Sequence, residues 1–136
     1  TDPENHDLMC HLRAEKVAKI PVPDVEVQGC ADDADLLIVG FGGTYGHLYS
    51  AMEEMKKAGK KVALAHFTYL NPLPKNTETV LKKYKKVVVA EQNLGQFAGY
   101  LRMKIDNFTP YQFNEVKGQP FVVAELVAAF NKLIDN

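Results

Sequence analysis

The sequence predicts an α/β fold: three α/β/α layers with helices on both faces of a mostly parallel central sheet. Three observations predict it. The runs 35–41, 62–67 and 86–90 are apolar nearly throughout, as strands covered on both faces are. Each is followed by residues with helical spacing of apolar positions. The turns between them hold glycine, proline or amide side chains rather than long linkers. Strand–helix alternation of this kind makes a parallel sheet wrapped on both sides.

The elements follow in order. Residues 4–19 read as a charged helix with a thin apolar stripe of Leu8, Met9, Leu12 and Val17, which calls for a partner surface. The prolines of Ile20-Pro21-Val22-Pro23 keep the chain extended. Val25-Glu26-Val27 alternates, as a short edge strand or a linker does. A compact domain is therefore expected over 24–136, with 1–23 as a connector.

Strand 35–41 leads through a glycine-rich loop into a helix at 45–58, whose inner face is Leu48, Ala51, Met52 and Met55. Gly59 stands where a C-terminal cap belongs. Strand 62–67 precedes a proline-stiffened loop, Thr68 to Pro74. Asn76 is placed to cap a short helix with Val80, Leu81 and Tyr84 inward. After strand 86–90, a helix at 94–106 carries Leu94, Phe97, Ala98, Leu101 and Ile105 on its inner side. Residues 111–116 read as a fourth strand. Pro120 is expected to open the last helix, with Val123, Leu126, Val127, Phe130 and Ile134 inward.

With 136 residues, the chain has one domain's length and buries roughly 68% of its unfolded surface. A net charge of −1 gives no global attraction for nucleic acid or anionic membrane. No apolar run approaches the roughly 20 residues of a membrane span, and no signal-peptide pattern opens the chain. Cys10 and Cys30 have neither metal-ligand spacing nor the company of further cysteines, so reduced thiols in a cytoplasmic protein are expected. The chain opens Thr1-Asp2-Pro3 without an initiator methionine, which suggests a piece of a longer polypeptide.

The two rims of the expected sheet differ. Lys56, Lys57, Lys60, Lys61, Lys82, Lys83, Lys85 and Lys86 gather where strands begin. No aromatic platform accompanies them as nucleic-acid binding would require, so a solvated rim is expected. The loops Gly42 to Gly46, Asn71 to Pro74, Glu91 to Gln96 and Lys117 to Gln119 all follow strand ends, where open α/β sheets bind ligands. Glycines let backbone N–H groups approach another group closely, and a helix start adds free N–H groups with partial positive charge. An anion or a partner's polar group is gripped this way. The candidate ligand or interface residues are Gly42, Gly43, Thr44, Tyr45, Gly46, Glu91, Asn93 and Gln96.

A dinucleotide fingerprint is not met, because Tyr45 stands at the third glycine position and the next strand ends His66-Phe67-Thr68 without an acid. No lysine and hydroxyl residue follow the glycines, so a P-loop is excluded. Asn93 reads either as a helix cap or, with Glu91 and Gln96, as a polar contact surface. Glu91 as a general base requires a closed pocket and a raised pKa. His47 and His66 reach toward the same rim, where a packed or surface role is the ordinary one. No catalytic triad, metal-ligand cluster or thiamine-type metal motif is present in the sequence.

Four ordered motifs carry a resemblance: Asp35-Leu36-Leu37-Ile38-Val39-Gly40 through Tyr45-Gly46, Tyr69 to Pro74, Glu91 to Gln96, and Lys117-Gly118-Gln119-Pro120-Phe121. Together they resemble the C-terminal domain of alpha subunits of 2-oxoacid:ferredoxin oxidoreductases, most closely the 2-oxoglutarate type. The resemblance implies a fold like the C-terminal domain of transketolase. Asn5-His6 to Ile20 looks like the connector from a preceding pyrimidine-binding domain. The implied enzyme decarboxylates a 2-oxoacid on thiamine diphosphate and magnesium. It passes electrons through an iron–sulfur cluster to ferredoxin and releases an acyl-coenzyme A. The resemblance places those groups on the beta subunit and the upstream alpha-subunit domain, leaving no catalytic, cofactor-binding or metal-ligating residue here. A structural and assembly role, silent in isolation, is implied, with a direct part in holding substrate or coenzyme A as the lesser alternative. The competing expectation is a free-standing anion- or nucleotide-binding module.

Overall fold

The computed structural model describes residues 21–115 and 118–136. The helix expected over 4–19 and most of the connector lie outside the described residues. The described elements run β1 (Val27–Gly29), β2 (Leu36–Phe41), a 3-10 turn (Gly42–Thr44), α1 (Tyr45–Lys57), β3 (Val62–Phe67), α2 (Thr77–Lys83), β4 (Val87–Glu91), α3 (Gln96–Lys104), β5 (Tyr111–Asn114) and α4 (Val123–Asp135). They form a single sheet in the order β1-β3-β2-β4-β5. Strands β2, β3, β4 and β5 are parallel, and β1 runs antiparallel along β3. The predicted α/β/α architecture holds.

Alternation along the buried strands divides the core into two layers. Leu37, Val39, Ala63, Ala65, Val87 and Val89 face one side, covered by Leu81 of α2 and by Phe97, Ala98 and Leu101 of α3. Leu36, Ile38, Val62, Leu64, Val88 and Ala90 face the other, covered by Leu48, Ala51, Met52 and Met55 of α1 and Leu126 and Phe130 of α4. Both faces are apolar because both are covered, which is why the strands read as continuous runs instead of alternating ones. Gly40 is a packing glycine. A Cβ there would collide with the Leu48 side chain, so its absence lets α1 lie close on β2.

Several expectations need correction. The last helix begins at Val123 with Val122 as its N-cap, not at Pro120. Helix α3 begins at Gln96 because Gly95 takes a left-handed conformation (φ +89°) that breaks the helix there. Leu94, expected on the inner face, therefore sits in the preceding loop and is 93% exposed. Asn76 precedes α2 but makes no cap hydrogen bond. Its side chain clamps Val25, accepting from the Val25 N–H at 2.9 Å and donating to the Val25 carbonyl at 3.0 Å. Of Val25-Glu26-Val27, expected as a short edge strand or a linker, Val27 opens β1, and Val25 is buried in the segment just before it. Gly59 follows α1 as expected, with φ +88° and its N–H donating to the Lys56 carbonyl at 3.0 Å.

Candidate functional site

Because β2 to β5 are parallel, their carboxyl ends share one rim. Chain order takes β2 to β3 on one side and then returns past β2 to β4 on the other. The topological switch point lies between β2 and β4, where open α/β sheets form their ligand crevices. The glycine loop after β2 and the Gln92 to Gly95 loop after β4 flank it. Beneath them, the Phe97 ring packs against Phe41 at 4.6 Å and Phe67 at 5.6 Å between centroids. The floor is an apolar aromatic cluster, and the walls are polar loops.

The glycine loop is open. Gly42, with φ +67°, Gly43 and Gly46 are exposed, and a Cβ at any of the three would meet nothing within 4 Å. No side chain caps the start of α1, and its first turn holds no acid. Thr44 is buried, and its hydroxyl donates to the Phe41 carbonyl at 3.0 Å, so it fastens the turn internally. The Tyr45 hydroxyl donates to Gln28 Oε1 at 2.9 Å, tying the loop to β1.

Glu91 occupies the other helix start. Its side chain is fully buried, and its two carboxylate oxygens accept the N–H groups of Phe97 at 2.9 Å and Ala98 at 3.0 Å. Asn93 Nδ2 donates to the same carboxylate at 3.1 Å. A carboxylate here satisfies otherwise unpaired donors and complements the helix dipole. Asn93 thus orients Glu91 instead of capping α3 itself. Gln96, at the first position of α3, is exposed. Gln92 Nε2 donates to the Gln119 carbonyl at 2.6 Å, linking the loop after β4 to the one after β5. Glu91 is accordingly a support for the rim, and Gln96 is a group the rim presents.

The expected site residues therefore share one rim but divide by orientation. Gly42, Gly43, Tyr45, Gly46 and Gln96 face outward, whereas Thr44 and Glu91 face inward. Asn93 is half-buried beside the carboxylate it holds. Leu94 is the outward-facing apolar residue that periodicity concealed.

His66 closes the β3 end of the rim. Its Nε2 lies 2.9 Å from the Gly42 carbonyl, an acceptor, so Nε2 carries the proton, while the buried Nδ1 has no hydrogen-bond partner among the described residues. Burial pushes the His66 pKa below the ordinary histidine value, and the Gly42 contact opposes that shift. The ring also meets Tyr45 edge-on at 5.1 Å. Beyond it lies a cleft of about 370 Å³ between β1 and the loop after β3, lined by Asp24, Glu26, Gln28, Tyr45, His66 and Tyr69 among others. Sequence periodicity gave no signal for this cleft, since β1 is a three-residue strand paired antiparallel with β3 and the segment leading into it is held by the clamp from Asn76. His47 stands apart, half a turn along α1, with its ring edge-on to Phe121 at 6.5 Å.

The opposite rim is basic and internally matched. Lys60 pairs with Asp135 at 3.6 Å, Lys61 with Asp33 at 2.9 Å and Lys83 with Asp32 at 3.8 Å. Lys86 Nζ donates to the carbonyls of Leu133 and Asn136, each at 2.7 Å, at the C-terminal end of α4, where a cation is favoured. These lysines serve the fold.

The donor set can be tested against the groups the resemblance implies. No cluster of three or more His, Cys, Asp or Glu side chains able to hold a metal occurs among the described residues. Cys30 is a half-buried thiol, and Cys10 lies outside the described residues. The two cysteines of the sequence fall short of the four thiolates that hold an iron–sulfur cluster. No helix among them is long and apolar enough to cross a membrane.

Comparison with known proteins gives a consistent set of matches. The family model for pyruvate:ferredoxin oxidoreductase core domain II matches residues 34–123. The 2-oxoglutarate oxidoreductase subunit KorA of Mycobacterium tuberculosis is 45% identical over 127 residues, covering 92% of this chain and 19% of that protein. A solved 2-oxoglutarate:ferredoxin oxidoreductase from Magnetococcus marinus, with 2-oxoglutarate, coenzyme A and succinyl-CoA bound, matches with a TM-score of 0.79 at 28% identity. That match covers 98% of this chain and 24% of the other. An inactive split-gene transketolase tetramer matches with a TM-score of 0.60 at 16% identity, over 86% of this chain and 44% of that one. This last likeness concerns the fold, and it bears out the transketolase-like architecture. The chain spans about a fifth of the length of the curated relatives it matches.

Proposed function

The chain belongs to the pyruvate:ferredoxin oxidoreductase core domain II family, and we propose that it is the assembly domain of the alpha subunit of a 2-oxoglutarate:ferredoxin oxidoreductase. In this reading the compact domain begins near residue 24, and residues 1–23 connect it to an upstream alpha-subunit domain. The partners are that domain and a beta subunit, with ferredoxin reached through the complex, in the cytoplasm. Oxidative decarboxylation to an acyl-coenzyme A, with thiamine diphosphate, magnesium and the iron–sulfur cluster, is assigned to those other parts.

The observation that carries the reading is the division of the rim. Among the described residues the buried carboxylate near the switch point is Glu91, which accepts from Phe97, Ala98 and Asn93 with no solvent exposure, while Leu94, three residues on, is 93% exposed. A general base must come within hydrogen-bond reach of its substrate, and the Glu91 side chain is fully buried and turned onto the start of α3. An exposed apolar side chain ringed by polar groups suits a protein contact. The outward residues Gly42, Gly43, Tyr45, Gly46 and Gln96 then form the polar part of that contact.

The test is an assay of the isolated chain with 2-oxoglutarate, coenzyme A, thiamine diphosphate, magnesium and a viologen or ferredoxin acceptor. No acceptor reduction is expected; measurable turnover would defeat the proposal.

One observation favours a second reading, a free-standing module that binds anions or nucleotides. The start of α1 has no side-chain cap and three exposed glycines around it, the features of an anion-binding helix terminus. Calorimetric titration with phosphate, nucleotides, thiamine diphosphate and coenzyme A separates the two. Tight binding by the isolated chain, lost on substituting Gly43 or Gly46, favours the module.

A further inference from the structure

The cleft beside β1 has a chemistry that the glycine loop lacks. Asp24 and Glu26 line its lip, both exposed, and among the described residues neither a lysine nor an arginine contributes to its wall. On the opposite rim Asp32, Asp33 and Asp135 each meet a lysine. Among the described residues no ion pair reaches Asp24 or Glu26. Tyr45 and Tyr69 add aromatic surface, 38% and 46% exposed. His66 donates its Nε2 proton to Gly42, and burial pushes its pKa below the ordinary histidine value, which disfavours a positive charge here. A lining whose described residues bring two carboxylates, two tyrosines and no cation attracts a cationic group and repels a phosphate.

The cleft also adjoins a strand edge that no described residue pairs with. β1 is an edge strand, hydrogen-bonded among the described residues to β3 alone. Glu26 and Gln28, two residues apart, both line the cleft, as side chains on one face of an extended segment do. A second extended segment laid along the free edge of β1 would place its alternate side chains over the same space.

We propose that this cleft receives an arginine side chain from an extended segment of a neighbouring polypeptide of the assembled enzyme, paired along β1. The proposal rests on the assembly reading above and gives one of its contacts a chemical identity. Arginine fits better than lysine because a planar guanidinium both stacks on tyrosine and bonds carboxylate oxygens in pairs. A volume of about 370 Å³ also exceeds what an ammonium needs and suits a flat group with its aliphatic stem.

The test is a titration of the full 136-residue chain, followed by amide NMR shifts. The probes are a capped valine–arginine–valine–arginine–valine peptide, its glutamate counterpart, and methylguanidinium. The arginine peptide is expected to shift the amides of Gln28, His66, Thr68 and Tyr69, more weakly at high salt. The double substitution Asp24→Asn with Glu26→Gln should weaken binding at least tenfold and leave distant amides unmoved. Both side chains are exposed, so the variant keeps the fold. Equal binding of the glutamate peptide, an unaffected variant, or shifts confined to the Asp32–Asp33 region would overturn the proposal. Binding of methylguanidinium as tight as the peptide would make this a small-molecule site, and would overturn it too. Binding seen only after Arg13, Lys16 and Lys19 are changed to glutamine would assign the cleft to this chain's own upstream segment, again against the proposal. A failed titration counts against the cleft alone, whereas turnover by the isolated chain counts against the reading it rests on.

Discussion

The Glu91 carboxylate accepts the Phe97 N–H at 2.9 Å from a position with no solvent exposure. A strand end and a helix start are joined by one charge-assisted contact, reinforced by Ala98 and Asn93. Hydrogen bonds to charged groups contribute about 1.5–3 kcal/mol each, and a buried unsatisfied donor costs about 1–3 kcal/mol. Glu91→Ala is therefore expected to destabilise the chain by about 3 kcal/mol in urea unfolding, with Glu91→Gln losing less. If Glu91→Ala unfolds at the wild-type midpoint, the capping role is wrong.

Asn76 and Val25 form the second long-range tie. Two hydrogen bonds to one residue, 51 positions away, hold the segment leading into β1. Asn76→Ala should cost about 1–3 kcal/mol and raise hydrogen exchange at Val25 more than at the core strands. Asn76→Asp keeps the acceptor for the Val25 N–H but loses the donor to its carbonyl, so an intermediate effect is expected.

The glycines separate conformation from contact. At Gly95, φ is +89° and a Cβ would lie 2.5 Å from Gln112 Oε1. Gly95→Ala is expected to cost about 1–2 kcal/mol for the left-handed conformation alone. Gly43 and Gly46 have no positive φ and open space around them. Alanine at Gly43 should leave thermal unfolding within about 0.5 kcal/mol of wild type, and at Gly46, inside α1, it should stabilise by up to about 1 kcal/mol, so any loss of assembly at either reads the interface directly.

His66 predicts a pH dependence with a definite sign. Burial lowers its folded pKa, with the Gly42 hydrogen bond opposing. Protonation would put a second N–H on the buried Nδ1, which faces no acceptor among the described residues. A depressed folded pKa means the unfolded state binds the proton more readily. The contribution is complete above the unfolded value of about 6.5 and is lost as pH falls through the folded pKa. Thermal unfolding followed from pH 7.5 to 5 should show this fall in the wild type and a shallower one in His66→Gln. Parallel curves would contradict it.

The architecture was legible because periodicity records burial. Leu36 to Val39, Val62 to Ala65 and Val87 to Ala90 are buried on both faces and read so from composition alone. The rim was legible as a place, since parallel strands put their following loops together. Side-chain direction at the rim was not. Leu94 fits the helical period of Phe97, Ala98 and Leu101, and a single backbone reversal at Gly95 removes it from that series. Asn76 has the residue type and position of a cap, yet a distant backbone competes for its amide and wins. The cleft beside β1 escaped notice because it depends on an antiparallel neighbour of three residues, too short to leave a pattern.

The central claim is that the rim docks other parts of an enzyme and performs no chemistry itself. The most direct measurement replaces the corresponding domain of the Mycobacterium tuberculosis subunit, 45% identical over 127 residues, with this chain, and follows complex mass by sedimentation alongside acceptor reduction. With the wild-type sequence, an assembled and active complex is expected. With Leu94→Asp, whose side chain is 93% exposed and outside the core, the domain should stay folded while the complex dissociates and activity falls with it. Assembly and turnover unchanged by Leu94→Asp, or turnover by this chain without its partners, would contradict the account.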